Sequence, residues 1–196
     1  MKVIGLTGGI GGGKSLVAKI LKEKYNAYLL NTDKIAKAQM EPGGASYQEV
    51  IDYIGREIVA SDGSIDRGKL AQIIFDNREK RLKINEITHP RVLDEVEKEI
   101  KAIREQGTIP YLVVETALMI EAGYDYICDE VWYVHAPEEE RRKRLKAERS
   151  YSDEKVDAIF ENQSKEEAFR ANFISVIENV GDMQFLEQQV DGLISK

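Results

Sequence analysis

Apolar residues crowd into short runs at the start of this chain and again through its second half, whereas between residues 34 and 106 they recur three and four positions apart. The two patterns predict different elements. A strand buried on both faces reads as a near-continuous apolar run, and an amphipathic helix repeats every 3.6 residues. Val3 to Leu6 is the first run, and a cluster of glycines closes it. Val17, Ile20 and Leu21 then predict a helix from Lys14 to Lys24, ended by Asn26. Ala27 to Leu30 predicts a second strand, closed by the polar residues Asn31, Thr32 and Asp33. YLVVE at 111–115, EVWYVH at 130–135 and FISVIE at 173–178 predict further strands.

Between Lys34 and Gln106 no buried strand is expected. Helical spacing appears at Tyr47, Val50, Ile51 and Ile54, again at Leu70, Ile73 and Ile74, and along Arg91 to Ile103, with Asp62-Gly63 as a turn among them. Pro90 is expected to open the last of these helices, Arg91 to Gln106. Pro137 opens a charged helix, and two more helical segments follow, the second beginning with the capping-box pattern SKEE at 164–167. Phe185, Leu186, Val190, Leu193 and Ile194 mark a C-terminal helix. Strands alternating with helices predict an α/β fold whose parallel sheet binds ligands beyond its strands' carboxyl ends. The expected organisation is one domain over 1–196. Its core is 1–33, 107–136 and 172–196, with a helical insertion at 34–106 and a lid at 137–171.

Composition narrows the classes of function. A chain of 196 residues, 42% apolar and 32% charged, is an ordinary globular protein with one core. A net charge of −7 disfavours a broad nucleic-acid-binding surface, although a local basic patch can still hold phosphates. The single cysteine, Cys128, has no partner for a disulfide and suits a reducing compartment as a small buried hydrophobe. Met1 to Leu6 is too short for a signal peptide, and no apolar run reaches membrane-spanning length. A cytoplasmic protein without a membrane partner is expected.

The glycines carry the chemistry. Gly8-Gly9-Ile10-Gly11-Gly12-Gly13-Lys14-Ser15 is a glycine, four residues, then Gly-Lys-Ser, placed between a predicted strand and a predicted helix. Such a loop turns tightly enough for successive N–H groups to converge on phosphate oxygens, beside the positive end of the helix. Lys14 then reaches the outer phosphates, and the Ser15 hydroxyl can ligate magnesium.

The fate of the phosphate needs other residues. Asp52-Tyr53-Ile54-Gly55 has the Asp-x-x-Gly spacing of GTPase switches but falls inside a helical pattern, and no Asn-Lys-x-Asp guanine-reading motif occurs. Asp33, beyond the second strand, is a candidate general base for an acceptor hydroxyl and also a candidate N-cap of a helix from Lys34 to Met40, two roles that do not exclude each other. Glu115 closes a strand, either helping to hold magnesium or simply solvated. Six of the nine residues from Arg141 to Arg149 are Lys or Arg. They form either a solvated helix or a lid closing on phosphates. Helical spacing puts Arg141 and Arg144 on one face and Arg142, Lys146 and Arg149 on another, without choosing between them. His89, just before Pro90, reads as a structural cap rather than a catalytic group, and His135 shares that ambiguity.

Taken together, these residues resemble the dephospho-CoA kinase family. The matching stretches are LTGGIGGGKS at 6–15, Asp33, EPGG at 41–44, DG at 62–63, IIF at 73–75 and THPRV at 88–92. ALMIE at 117–121, RKRL at 142–145, Arg149, Gln163 and VIENVG at 176–181 complete the series, in order along the whole chain. The resemblance implies a P-loop nucleoside-triphosphate hydrolase fold with five parallel strands flanked by helices, an inserted helical substrate domain and a lid. It implies ATP as co-substrate, Mg2+ as cofactor, and the ribose 3′-hydroxyl of dephospho-CoA as acceptor. By the same resemblance Asp33 is catalytic, Gly11 to Leu16 bind ATP, Arg144 and Arg149 are the lid arginines, and His89 belongs to the substrate domain. A monomer or weak homo-oligomer is expected. The chain departs from the family where Asn31-Thr32-Asp33 replaces Asp-Ala-Asp, where Ala117 replaces a proline and Ile120 a phenylalanine, and where Leu16 replaces a threonine. A kinase of another nucleotide, distinguished by its acceptor, is the nearest alternative. A slow ATP-hydrolysing switch, distinguished by indifference to any acceptor, is the more distant one.

Overall fold

A computed structural model describes residues 1–75, 77–149, 151–161 and 175–196, with only the backbone of Glu148 and Arg149. Among these, strands β1 (Lys2–Thr7), β2 (Tyr28–Asn31), β3 (Tyr111–Glu115), β4 (Glu130–His135) and β5 (Ser175–Glu178) form a sheet in the order β2-β3-β1-β4-β5. It is parallel, with Ile4 registered on Val113 and Glu130, and Trp132 on Ser175. The predicted five-stranded parallel sheet of a P-loop α/β protein is therefore present, and β1 lies at its centre.

Helices α1 (Lys14–Tyr25) and α8 (Met183–Ile194) cover one face of this sheet. Ile4, Leu6, Val113, Trp132, Val134 and Ile177 from the strands pack with Val17, Leu21, Leu186 and Val190 from these helices. Each such side chain removed from water contributes about 1.5–3 kcal/mol. Val3, Leu112 and Val114, alternating with the first set along β1 and β3, are fully buried as well. Burial of both faces is why these strands read as unbroken apolar runs. Asn26, in the left-handed region at φ 52°, ends α1, and Asp182 caps α8 by accepting from the Phe185 N–H at 2.9 Å.

The chain divides into two compact units, Met1–Leu30 with Ala102–Lys196, and Asn31–Lys101. The second holds α2 (Thr32–Gln39), α3 (Tyr47–Ile54), α4 (Arg67–Phe75) and most of α5 (Arg78–Gln106). It has its own core of Val50, Ile51, Ile54, Ile58, Ile65, Leu70, Ile84 and Ile87. The Asp62-Gly63 turn is present: the Asp62 carboxylate accepts from the Ser64 N–H and hydroxyl, and Gly63 takes φ 85°. Gly55, at φ 118°, ends α3, which leaves Asp52 within a helix as the spacing implied.

Two expectations are corrected here. Pro90 does not open a helix; α5 runs unbroken through it for 29 residues. Proline has no N–H for the carbonyl four residues back and normally breaks the ladder there. Tertiary packing prevails instead, since Ile84, Ile87, Thr88, Val92, Val96 and Ile100 are all buried along this helix. Side chains also serve carbonyls beside the break, the Thr88 hydroxyl donating to Ile84 at 2.8 Å and Arg91 to Ile87. His89 is thus interior to a helix and is not its cap.

The second correction concerns Asp33. Helix α2 begins at Thr32 rather than Lys34, and its N-cap is Asn31, whose Oδ1 accepts from the Lys34 N–H at 3.0 Å. Asp33 is in the first turn, where its charge favours the helix dipole without capping it.

The charged helix α6 (Glu138–Arg149) starts as expected after Pro137, whose carbonyl accepts from the Arg141 N–H at 3.0 Å. It is followed by α7 (Asp153–Glu161). The SKEE pattern at 164–167, Gln163, and Phe173 and Ile174 of the predicted last strand lie outside the described residues.

Candidate active site

The loop from Gly8 to Gly13 leaves the central strand at the sheet's carboxyl edge and enters α1, so its position follows from strand order. Glycine is required at two places for distinct reasons. Gly8 takes φ 148°, and a Cβ there would run into the Val134 carbonyl of the neighbouring strand. Gly13, at φ 97°, is the N-cap of α1, and a Cβ there would collide with the Asn179 side-chain amide. Within the loop the Gly12 N–H donates to the Gly9 carbonyl at 3.0 Å, which closes the turn. A backbone this bare, at the head of a helix, makes an anion cradle, so the observed loop fits the phosphates of a nucleotide.

Lys14 reaches back over this loop, its Nζ donating to the carbonyls of Gly8 at 2.8 Å and Gly9 at 3.2 Å. Ser15, exposed on the first turn of α1, donates its hydroxyl to Glu115 Oε1 at 2.7 Å. Glu115 ends β3 opposite Leu6, and this register sets the carboxylate beside the loop. A hydroxyl and a carboxylate in contact are the hard oxygen donors that magnesium takes, the remaining positions normally going to water and phosphate. Those two residues fit the ion. Among the described residues no cluster of three or more His, Cys, Asp or Glu could hold a metal by itself.

Helix α6 divides its bases between two faces. Arg141 Nε donates to the Ile10 carbonyl at 3.0 Å while its guanidinium lies 4.4 Å from the Phe160 ring centroid. One turn on, Arg144 donates to the Gly11 carbonyl at 3.2 Å and to the Asn179 carbonyl at 3.0 Å. Arg142 and Lys146 face α7 instead, pairing with Asp157 and Asp153. For Arg141, Arg144, Arg142 and Lys146 the contacts follow the split that helical spacing gave, and only the folded chain shows which face meets the loop. The backbone of Arg149 lies in the last turn of α6.

Asn179, just past β5, is the polar residue that sequence reasoning left without a role. It is 9% exposed, its amide donates to the Gly12 carbonyl at 2.8 Å, and its N–H donates to the His135 carbonyl at 2.7 Å. The only signal for it was its place in the VIENVG match. Arg141 was likewise seen as a face of a helix and not as a loop contact. His135 itself pairs through Nδ1 with Glu178 on the neighbouring strand. The residues brought together in this unit are therefore the whole loop with Leu16, and Lys14, Ser15, Glu115, Arg141, Arg144 and Asn179.

Asp33 and His89 belong to the second unit. Asp33 is exposed, two residues past the end of β2, and His89 is half-buried on α5.

Comparison with known proteins agrees with this geometry. A family model described as dephospho-CoA kinase matches residues 2–184. The chain is 42% identical over its full length to a dephospho-CoA kinase of Carboxydothermus hydrogenoformans, covering 94% of that protein. It is 38% identical to one of Moorella thermoacetica, with 94% of this chain and 86% of that protein covered. Among solved structures it superposes on TT1252 of Thermus thermophilus with a TM-score of 0.82 at 29% identity, covering 99% of this chain and 96% of that one.

Proposed function

The chain belongs to the dephospho-CoA kinase family, and on that premise we propose how its residues carry the family's reaction, ATP-dependent phosphorylation of dephospho-CoA in coenzyme A biosynthesis. The γ-phosphoryl group of ATP passes to the ribose 3′-hydroxyl of dephospho-CoA, leaving coenzyme A and ADP. The observation that carries this reading is the loop itself. Gly8 to Gly13 form a bare-backbone loop in which a Cβ on Gly8 or Gly13 would collide with the Val134 carbonyl or the Asn179 amide, with Lys14 and Ser15 at its exit.

The N–H groups of the loop and the Lys14 ammonium hold the phosphates, binding the transferring group most strongly as its charge spreads in the transition state. Ser15 and Glu115 hold magnesium, which when bound neutralises charge on the phosphate oxygens. Asp33 accepts the proton of the acceptor hydroxyl and orients it in line with the phosphorus. Its exposure at the start of α2, immediately beyond a strand's carboxyl end, supports that role. Arg144 and Arg149, the residues that match the family's lid arginines, offset the charge that develops during transfer. His89 contributes to acceptor binding. Residues 34–106 act as the substrate-binding part and 137–171 as a lid that excludes water.

No helix among the described residues is long and apolar enough to cross a membrane. The protein works in the cytoplasm as a monomer or weak homo-oligomer, without nucleic acid.

The test is magnesium-dependent ADP release from ATP by the purified protein, with and without dephospho-CoA, and mass analysis of the product for a new phosphate. Acceptor-dependent turnover giving coenzyme A is the expected result. ATP turnover indifferent to dephospho-CoA would overturn this reading.

A further inference from the structure

Three consecutive carbonyls of the phosphate loop are each held by a side chain from a distant part of the chain. Arg141 takes Ile10, Arg144 takes Gly11 and Asn179 takes Gly12, at 3.0, 3.2 and 2.8 Å. A trans peptide points its carbonyl and the following N–H in opposite directions. Anchoring each of these carbonyls therefore turns the N–H of the next residue, Gly11, Gly12 or Gly13, away from its anchor. That of Gly12 is used within the loop, by Gly9. Those of Gly11 and Gly13 are the ones that the anchors direct, and backbone N–H groups held in a fixed direction at a loop of this kind are what bind an anion.

Asn179 is the anchor built for this purpose. Arginine on an amphipathic helix has many uses, whereas a side chain only 9% exposed must have its hydrogen bonds made. The Asn179 backbone is clamped at both ends, its N–H on His135 and its carbonyl under Arg144, so the side-chain amide is held at one place. That place lies against Gly13, where a Cβ would strike the amide nitrogen. The missing side chain of the loop's last glycine and the presence of this asparagine are two halves of one fit.

We infer that Asn179 is a positioning residue for phosphoryl transfer: by donating to the Gly12 carbonyl it holds the Gly13 N–H in its phosphate-binding direction. It acts through the loop and need not touch ATP. The inference rests on the loop's role in binding ATP, and it makes ATP affinity, rather than acceptor affinity, depend on a residue at the end of β5.

The experiment compares wild type with Asn179→Asp and Asn179→Ala in the full chain. It measures KM for ATP and for dephospho-CoA, direct ATP binding by calorimetry, and thermal melting. At pH 8 the aspartate cannot donate and faces the Gly12 carbonyl with a charge, so KM for ATP is expected to rise at least about tenfold, and less in Asn179→Ala. KM for dephospho-CoA stays within about twofold. As pH falls toward 5.5, protonation gives the aspartate variant an O–H donor in the same position. Its KM for ATP then moves back toward wild type, a rescue that a role in packing alone would not produce. Unchanged ATP affinity in Asn179→Asp, or a parallel rise in both KM values without pH dependence, would overturn the inference. If Asn179→Asp does not fold, Asn179→Ala decides by the same split, and equal effects on both substrates reject it. Tyr25→Phe, which removes a bond to Asp191 on α8, serves as the control that lowers melting without changing KM for ATP. Should wild type bind ATP but ignore dephospho-CoA, the family reading fails while calorimetry still reads the effect of Asn179.

Discussion

The hydroxyl of Ser15 donates to Glu115 Oε1 across 2.7 Å, joining the first turn of α1 to the last residue of β3. The serine proton is committed to the carboxylate, so the hydroxyl's lone pairs are left to face a cation. Glu115→Gln keeps the shape but removes the one negative charge of this donor pair. It is expected to raise the magnesium concentration needed for half-maximal turnover about tenfold, while ATP binding measured without magnesium stays within twofold. Titration of activity with magnesium checks this, and an unchanged magnesium requirement removes Glu115 from the site.

Asp33→Asn should separate binding from chemistry. An amide cannot accept the acceptor's proton as a base, and general-base catalysis typically contributes about 10²- to 10⁴-fold. Turnover is expected to fall by that order with ATP affinity retained. Near-normal turnover would show that the hydroxyl loses its proton elsewhere.

Asn31 stands where the resembling family usually carries an aspartate, and here it caps α2. Asn31→Ala is expected to cost about 1 kcal/mol of stability, the usual loss of an N-cap. Asn31→Asp keeps an acceptor for the Lys34 N–H and should melt within a degree or two of wild type. Denaturant unfolding of the three proteins settles the order, and an alanine as stable as asparagine would contradict it.

Burial pushes the Cys128 thiol from its ordinary 9.0 up to about 12, with Asp125 and Asp129 adding to the shift. Its Sγ donates to the Tyr124 carbonyl at 3.2 Å. The folded value is above the unfolded one, so this contribution to stability is intact below about pH 9 and is lost as pH rises from there towards 12. Near pH 8 the folded thiolate is about a thousandfold scarcer than the unfolded one. Alkylation of the native protein is therefore expected to be slower than that of the denatured chain, by less than that factor because the more basic thiolate is the better nucleophile. Comparable rates would place the thiol in water.

The sheet, α1 and the loop were readable from the residues because each is written locally. The apolar runs at 3–6, 111–114 and 131–134 are short, bounded by turn or polar residues and buried on both faces, and glycines followed by lysine and serine between a strand and a helix form a recognised loop. Pro90 misled for the same reason. The local rule for proline is a helix start, and the buried face from Ile84 to Ile100 outweighed it. At α2, Asn31, Thr32 and Asp33 all resemble caps in sequence, and a hydrogen bond to Lys34 was needed to tell them apart.

The amino-acid sequence by itself determined that this chain makes a phosphate loop at the head of a helix, since glycine's freedom and the spacing to Lys14 and Ser15 act within a few residues. The tertiary structure alone decided what holds that loop. The contact of Asn179 with Gly12 spans 167 positions, and that of Arg141 with Ile10 spans 131. Neither has a period or a spacing to announce it. They exist because the strand order β1-β4-β5 brings two distant chain segments beside one turn, where buried carbonyls must find donors.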